Sequence, residues 1–201
     1  MISYTKTTLH AQDVTISRGG LTVLSNVSFQ VESGGALVVE GPNGSGKSSL
    51  LRACAGLITP AAGRIGVGGA HRADPIHFVG HLNAIKLQLS VFENAAFWAE
   101  PHEGEGKDER ADSALDALGL GALADTKAQY LSQGQRRRLA LCRLLSASRP
   151  IWLLDEPVAG LDQAAREGFA KIMADHRASG GVIIAATHED LGLSAPSALA
   201  L

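Results

Sequence analysis

Gly41-Pro42-Asn43-Gly44-Ser45-Gly46-Lys47-Ser48 satisfies G-x-x-x-x-G-K-[ST] at every fixed position, and no other feature of the chain constrains its fold as strongly. Such a loop functions between a strand and a helix. The run Ala36-Leu37-Val38-Val39-Glu40 before it predicts a buried strand, and Ser48 to Ala55, with Leu50, Leu51, Ala53 and Ala55, predicts a helix. The glycines let backbone N–H groups turn inward around a polyphosphate, and the helix N-terminus adds partial positive charge. Lys47 is expected to neutralise the β- and γ-phosphates of a nucleoside triphosphate, the Ser48 hydroxyl to ligate Mg²⁺, and Ser49 to complete the cradle. The plain alternative is a glycine-rich strand-to-helix turn that binds nothing.

Ile151-Trp152-Leu153-Leu154-Asp155-Glu156-Pro157 places two carboxylates at the C-terminal end of an apolar strand, where an α/β sheet presents its ligand groups. This is a Walker B pattern. Asp155 is expected to hold Mg²⁺ and Glu156 to orient and polarise the attacking water. Solvated acids at an ordinary strand end are the alternative. Thr187-His188 follows a further apolar run, Val182 to Ala186, and a histidine there can reach a γ-phosphate and hold the glutamate. His71, His77 and His81 are loosely spaced like metal ligands, but Mg²⁺ prefers oxygen and no thiolates accompany them.

At 201 residues the chain is expected to form one domain, long enough to bury about 70% of its unfolded surface. A formal net charge of −2 argues against a dedicated nucleic-acid binder. Cys54 and Cys142 both lie in apolar helix-like stretches and read as packed thiols, which implies a reducing compartment. The N-terminus has no basic segment followed by an apolar run, and no stretch approaches eighteen apolar residues. Membrane association is expected to run through a partner.

Residues 8 to 32 alternate apolar and polar positions around Gly19-Gly20, which predicts an antiparallel hairpin. Ile76 to Val79, Ile151 to Leu154 and Val182 to Ala186 read as buried parallel strands separated by helices. Between Leu89 and Ala128 helical periodicity takes over, interrupted by a charged stretch from Glu100 to Arg110 that reads as an exposed loop. The predicted fold is α/β: a P-loop NTPase (RecA-like) core with an antiparallel β subdomain and a helical insertion. Its expected organisation is one domain over 1–201, with β and core parts in 1–85 and 136–201 and a helical subdomain in 86–135.

Leu131-Ser132-Gln133-Gly134-Gln135 precedes a helix-like run from Arg136 to Ser146 and resembles the LSGGQ signature of ATP-binding cassette (ABC) ATPases. The order of P-loop, signature, Walker B, Ala159-Gly160-Leu161-Asp162 and His188 is similar to that family from residue 10 to 190. The resemblance implies a head-to-tail dimer, here a homodimer, in which each ATP lies between one subunit's P-loop and the other's Ser132–Gln135 and Asp162. Three positions depart from the family pattern. Gln133 replaces the usual first glycine of the signature pair, His81 stands where the Q-loop glutamine is expected, and Arg18 stands near the position of an adenine-stacking aromatic.

Phe78-Val79-Gly80-His81 leading to Phe92-Glu93-Asn94-Ala95-Ala96-Phe97-Trp98, with Tyr130 to Leu141, is similar to the ATPase subunits of the bacterial cytochrome c maturation system. That family is short, and this chain runs thirteen residues beyond His188. The resemblance implies an ATPase peripheral on the cytoplasmic face of the inner membrane, bound to integral membrane subunits of a haem-handling ABC complex. Its work would be haem export, or release of a haem-loaded periplasmic chaperone. A soluble cassette ATPase, for example in iron–sulfur assembly, the ATPase of another small-substrate ABC transporter and a P-loop kinase are the competing readings.

Overall fold

The computed structural model describes residue 4, residues 6–69, 74–101 and 106–201. Two compact units emerge: Met1–Gly80 with Arg149–Glu156 and Met173–Leu201, and His81–Ser148 with Pro157–Ile172.

The first unit holds two sheets. β1 (Thr8–Arg18) and β2 (Leu21–Val31) form the predicted antiparallel hairpin, turned by Gly19 and Gly20 at φ 56° and 80°. β4 (Ala62–Gly68) adds a third antiparallel strand on the other edge of β1. It was not among the expected strands, because three glycines and an arginine within seven residues carry little strand signal. The second sheet is wholly parallel, in the order β5 (Ile76–Val79), β6 (Ile151–Asp155), β7 (Val182–Ala186), β3 (Ala36–Glu40), β8 (Ser197–Ala200). β8, the other strand outside the sequence reading, has only Ser, Ala and Leu to announce it.

Every residue of β6 and β7 is buried, which explains the apolar runs over residues 151–154 and 182–186: both faces are covered, so no polar alternation is tolerated along them. α1 (Lys47–Cys54) packs against β6 and β7 with Leu50 and Leu51 fully buried, and joins Leu9, Ile16, Val39, Leu153 and Ile184 in one apolar core. The strand order matters most for the site. β7 lies between β6 and β3, and Ala186 is in register with Asp155 on one side and Val39 on the other. The residues that follow β3, β6 and β7 therefore emerge together at the C-terminal edge of the sheet.

The second unit is helical. α2 (Val91–Trp98) starts at a capping box, in which Ser90 accepts from the Glu93 N–H and Glu93 accepts from the Ser90 N–H. α3 (Lys107–Ala117) takes in part of the charged stretch expected as a loop: Lys107 to Arg110 form its first turn, with Asp108 and Glu109 favourably placed at the positive end of the helix. Residues 102–105 of that stretch lie outside the described residues. Ala111, Ala114 and Leu115 bury the inner face of α3.

The expected run from Arg136 to Ser146 begins earlier and is divided, as α4 (Gln133–Leu141) and α5 (Arg143–Ser146). Ser132 and Gln135 form a second capping box, which pulls the signature residues into the first turn of α4. α6 (Gln163–Ala178) follows Asp162, whose carboxylate accepts from the Ala165 N–H at 2.8 Å.

Candidate active site

The loop after β3 is held in a shape that side chains would block. Gly46, at φ 101°, caps α1, and a Cβ there would fall 2.7 Å from Leu24 Cγ and 2.9 Å from Val23 Cγ1. Gly41, at φ 144°, lies so close to the Leu201 carbonyl that a Cβ would meet its oxygen at 2.6 Å. The chain consequently bends tightly over the start of α1, and no side chain caps that helix end. Its first-turn N–H groups are left to an anion, and no acidic residue in the first turn opposes one.

Lys47 is 8% exposed, with Nζ donating to the Gly41 carbonyl at 2.6 Å and the Pro42 carbonyl at 3.0 Å. An ammonium has three protons, so one remains to direct at a phosphate oxygen. Pro42, Asn43 and Gly44 are exposed on the same loop, and Ser45 closes its turn by donating from its N–H to the Pro42 carbonyl at 3.2 Å.

Asp155 ends β6 and is 3% exposed, while Glu156 turns out of the strand with φ 48°. A non-glycine residue in that region is strained, and the neighbouring strand holds it there. The Glu156 N–H donates to the Ala186 carbonyl at 2.8 Å. The Thr187 hydroxyl donates to Glu156 Oε2 at 2.9 Å, and His188 Nδ1 lies 3.1 Å from Oε1. Since an ionised carboxylate only accepts, Nδ1 carries the proton of that bond, and Nε2 can donate to a phosphate only as the imidazolium. A cleft of about 470 Å³ opens here, lined by Glu40, Gly41, Thr187, His188, Glu189 and Asp190, so the start of the P-loop and His188 share one wall.

The oxygen donors suit magnesium. Ser48 lies in the first turn of α1, Asp155 is buried at the end of β6, and α1 packs on β6, so a hydroxyl and a carboxylate are offered from packed elements. Of the histidines with ligand-like spacing, His77 is buried in β5 beside Arg149, His81 is exposed, and His71 lies outside the described residues. Arg18 is exposed at the last position of β1. Burial pushes the Cys54 and Cys142 thiols up to about 12, so neither is a ready thiolate.

The remaining predicted residues, His81, Ser132 to Gln135 and Asp162, belong to the helical unit. Ser132 gives its hydroxyl oxygen to the Gln135 N–H at 3.2 Å, and Gln135 accepts from the Ser132 N–H at 2.8 Å. Gly134 approaches the Gly160 carbonyl so closely that a Cβ would sit 2.9 Å from its oxygen. Gln133 is exposed and runs its Cγ towards Gly160.

Three further residues in this unit, Asn83, Arg137 and Arg143, form a hydrogen-bonded cluster that the motifs do not announce. Arg137, 4% exposed, donates from Nε to the Pro157 carbonyl at 3.1 Å and from Nη1 to Asn83 Oδ1 at 3.2 Å. Arg143 donates to the Asn83 carbonyl at 2.8 Å, and its guanidinium is pushed down to about 10 by burial and then by the charge of Arg137. Asn83, two residues after His81, is thus pinned at both its side chain and its backbone. Of the run Arg136-Arg137-Arg138, helical geometry turns the middle one inward, which was the only hint in the sequence.

The chain matches the ABC transporter family over residues 24–159. It is 50% identical over 182 residues to the cytochrome c biogenesis ATP-binding export protein CcmA of Rhodopseudomonas palustris (strain BisB5), covering 89% of this chain and 90% of that protein. The protein of the same name from Mesorhizobium japonicum is 50% identical over 190 residues, covering 92% and 94%. Among solved structures, a putative ABC transporter ATP-binding protein from Pyrococcus furiosus superposes with a TM-score of 0.81 at 24% identity, covering 96% of this chain and 97% of that one. The ADP conformation of an ATP-binding cassette of an ABC transporter gives 0.74 at 23% identity, covering 92% and 83%. These two likenesses bear on the fold alone.

Proposed function

The chain belongs to the ABC transporter family and, within it, to the cytochrome c biogenesis ATP-binding export proteins, and from that premise we propose that it hydrolyses ATP to drive haem handling in cytochrome c maturation. One observation carries the chemistry: Glu156 is gripped through both carboxylate oxygens, one residue after buried Asp155, in the same unit as Lys47.

The β- and γ-phosphates of ATP lie in the loop of residues 41–48, where Lys47 and the first-turn N–H groups of α1, including Ser49, meet their oxygens. Ser48 and Asp155 would hold Mg²⁺, which supplies charge neutralisation at those phosphates. Glu156 accepts a proton from water as the water oxygen bonds to the γ-phosphorus; the bond to the β–γ bridging oxygen breaks, and ADP leaves with that electron pair. His188 keeps the carboxylate facing the water. Arg18 takes the adenine side, stacking through its guanidinium.

A second copy of the chain completes the site, presenting its own Ser132, Gln133, Gly134 and Gln135 to the γ-phosphate with Asp162 nearby, in a head-to-tail homodimer. Among the described residues no helix is long and apolar enough to cross a membrane. Integral membrane subunits then hold the protein on the cytoplasmic face of the bacterial inner membrane. The segment from His81 to Leu87 and the exposed Phe97 and Trp98 offer them an apolar face, with Lys86 and Arg143 each 4.8 Å from one of those rings.

The test is a strain carrying Lys47→Ala, scored for haem-stained c-type cytochromes and for haem bound to the periplasmic chaperone. Loss of c-type cytochromes with other haem proteins spared is the expected result. Normal c-type cytochromes would remove the maturation role while leaving ATP hydrolysis to be judged on purified protein.

A further inference from the structure

We propose that Thr187 is a positioning residue for ATP hydrolysis, whose buried hydroxyl fixes the orientation of the Glu156 carboxylate independently of His188. The hydrogen bonding leaves the hydroxyl one arrangement. The Glu189 N–H donates into Thr187 Oγ1 at 3.0 Å, and the single hydroxyl proton points to Glu156 Oε2 at 2.9 Å, since a carboxylate can only accept. Thr187 is 2% exposed, so water does not compete for that proton, and its branched Cβ keeps the hydroxyl in one rotamer.

The second holder of Glu156 is of a different kind. His188 meets Oε1 at 3.1 Å with its side chain 75% exposed, against 17% for Glu156, so the imidazole stands mostly in solvent. Thr187 therefore supplies the fixed contact and His188 the adjustable one. The backbone supports this division: Glu156 sits at φ 48° with its N–H on the Ala186 carbonyl, so residues 186, 187 and 188 in succession grip its backbone, one oxygen and then the other. When His188 turns towards a phosphate, Thr187 still holds the carboxylate aimed at the attacking water. This rests on Glu156 being the base of the proposed reaction.

The experiment measures steady-state ATP hydrolysis and ATP binding for Thr187→Val, Thr187→Ser, Glu156→Gln and the Thr187→Val/Glu156→Gln double variant. Thr187→Val keeps the shape and removes the proton, so kcat should fall roughly tenfold or more with KM for ATP within about twofold, and Thr187→Ser should restore kcat to within about threefold. In the Glu156→Gln background, Thr187→Val should lower the residual rate no further, because its partner carboxylate is already gone. If Thr187→Val does not fold, Thr187→Cys, a weak donor of similar size, should give a kcat well below that of Thr187→Ser.

Wild-type kcat in Thr187→Val, or in Thr187→Cys where that variant stands in, overturns the proposal. So does a fall in Thr187→Ser equal to that in Thr187→Val, or a full additional loss in the double variant. If Glu156→Gln itself hydrolyses ATP at the wild-type rate, it is the assignment of the base that has failed.

Discussion

Glu156 and His188 meet across 3.1 Å, joining the residue after β6 to a residue after β7. The contact exists because β6 and β7 are parallel neighbours with Asp155 and Ala186 in register, so the two turns leave the sheet at the same height. The adjoining strand on the far side of β7 is β3, which brings in the P-loop. A sheet topology thus gathers a lysine, two carboxylates, a hydroxyl and an imidazole from sequence positions more than a hundred residues apart.

Lys47→Ala should lower MgATP affinity by roughly 10²-fold, because the charged donor proposed to face the phosphates is lost and water cannot take its fixed position. The fold should survive, since the Gly41 and Pro42 carbonyls that Lys47 now engages lie on a largely exposed loop. Isothermal calorimetry with an unfolding curve checks both statements.

Gly134→Ala should separate signature function from nucleotide binding. The added Cβ would meet the Gly160 carbonyl oxygen at 2.9 Å, so the start of α4 or the 159–162 segment must shift. ATP binding to the monomer should be unchanged and hydrolysis should fall by about tenfold or more, measured as kcat against nucleotide affinity.

His176 predicts acid sensitivity. It is 6% exposed, stacked on Trp152 at 3.7 Å, and burial holds its imidazole down at about 3, against an ordinary value of 6.5. Below pH 6.5 the unfolded chain binds a proton that the folded chain refuses, so the contribution is intact above 6.5 and declines as pH falls towards 3. The loss from this group should reach about 2 kcal/mol by pH 5. Urea unfolding at pH 7 and pH 5 should show that decrement in wild type and its absence in His176→Phe.

The strands that carry the site were legible because burial on both faces writes an unbroken apolar run, as in residues 151–154 of β6 and throughout β7. β4 and β8 were not, since Gly63, Gly66 and Gly68 in one and Ser197 and Ala198 in the other become strands only by pairing with distant β1 and β3. The early start of α4 is written in Ser132 and Gln135, whose capping-box spacing coincides with the signature motif. No local signal announces that Asn83 meets Arg137 and Arg143, because those contacts span 54 and 60 residues.

His81→Gln and Gln133→Gly address the departures from the family pattern. His81 is exposed, and Asn83 two residues on is pinned by two buried arginines, which suits a contact made to a partner from a firm base. His81→Gln should leave basal hydrolysis intact and reduce the rate in the presence of the membrane subunits. Gln133→Gly should ease backbone approach to the γ-phosphate in the dimer and raise basal hydrolysis. ATPase rates with and without the membrane subunits decide both, and equal loss in both conditions would make His81 merely catalytic.

The most direct measurement is ATP hydrolysis by purified Glu156→Gln beside wild type, with bound nucleotide and oligomeric state followed in the same samples. Turnover should fall by roughly 10²-fold or more while ATP still binds, and an ATP-bound dimer should accumulate. Hydrolysis at the wild-type rate by Glu156→Gln would contradict the assignment of Glu156 as the base, and with it the site built around β6 and β7.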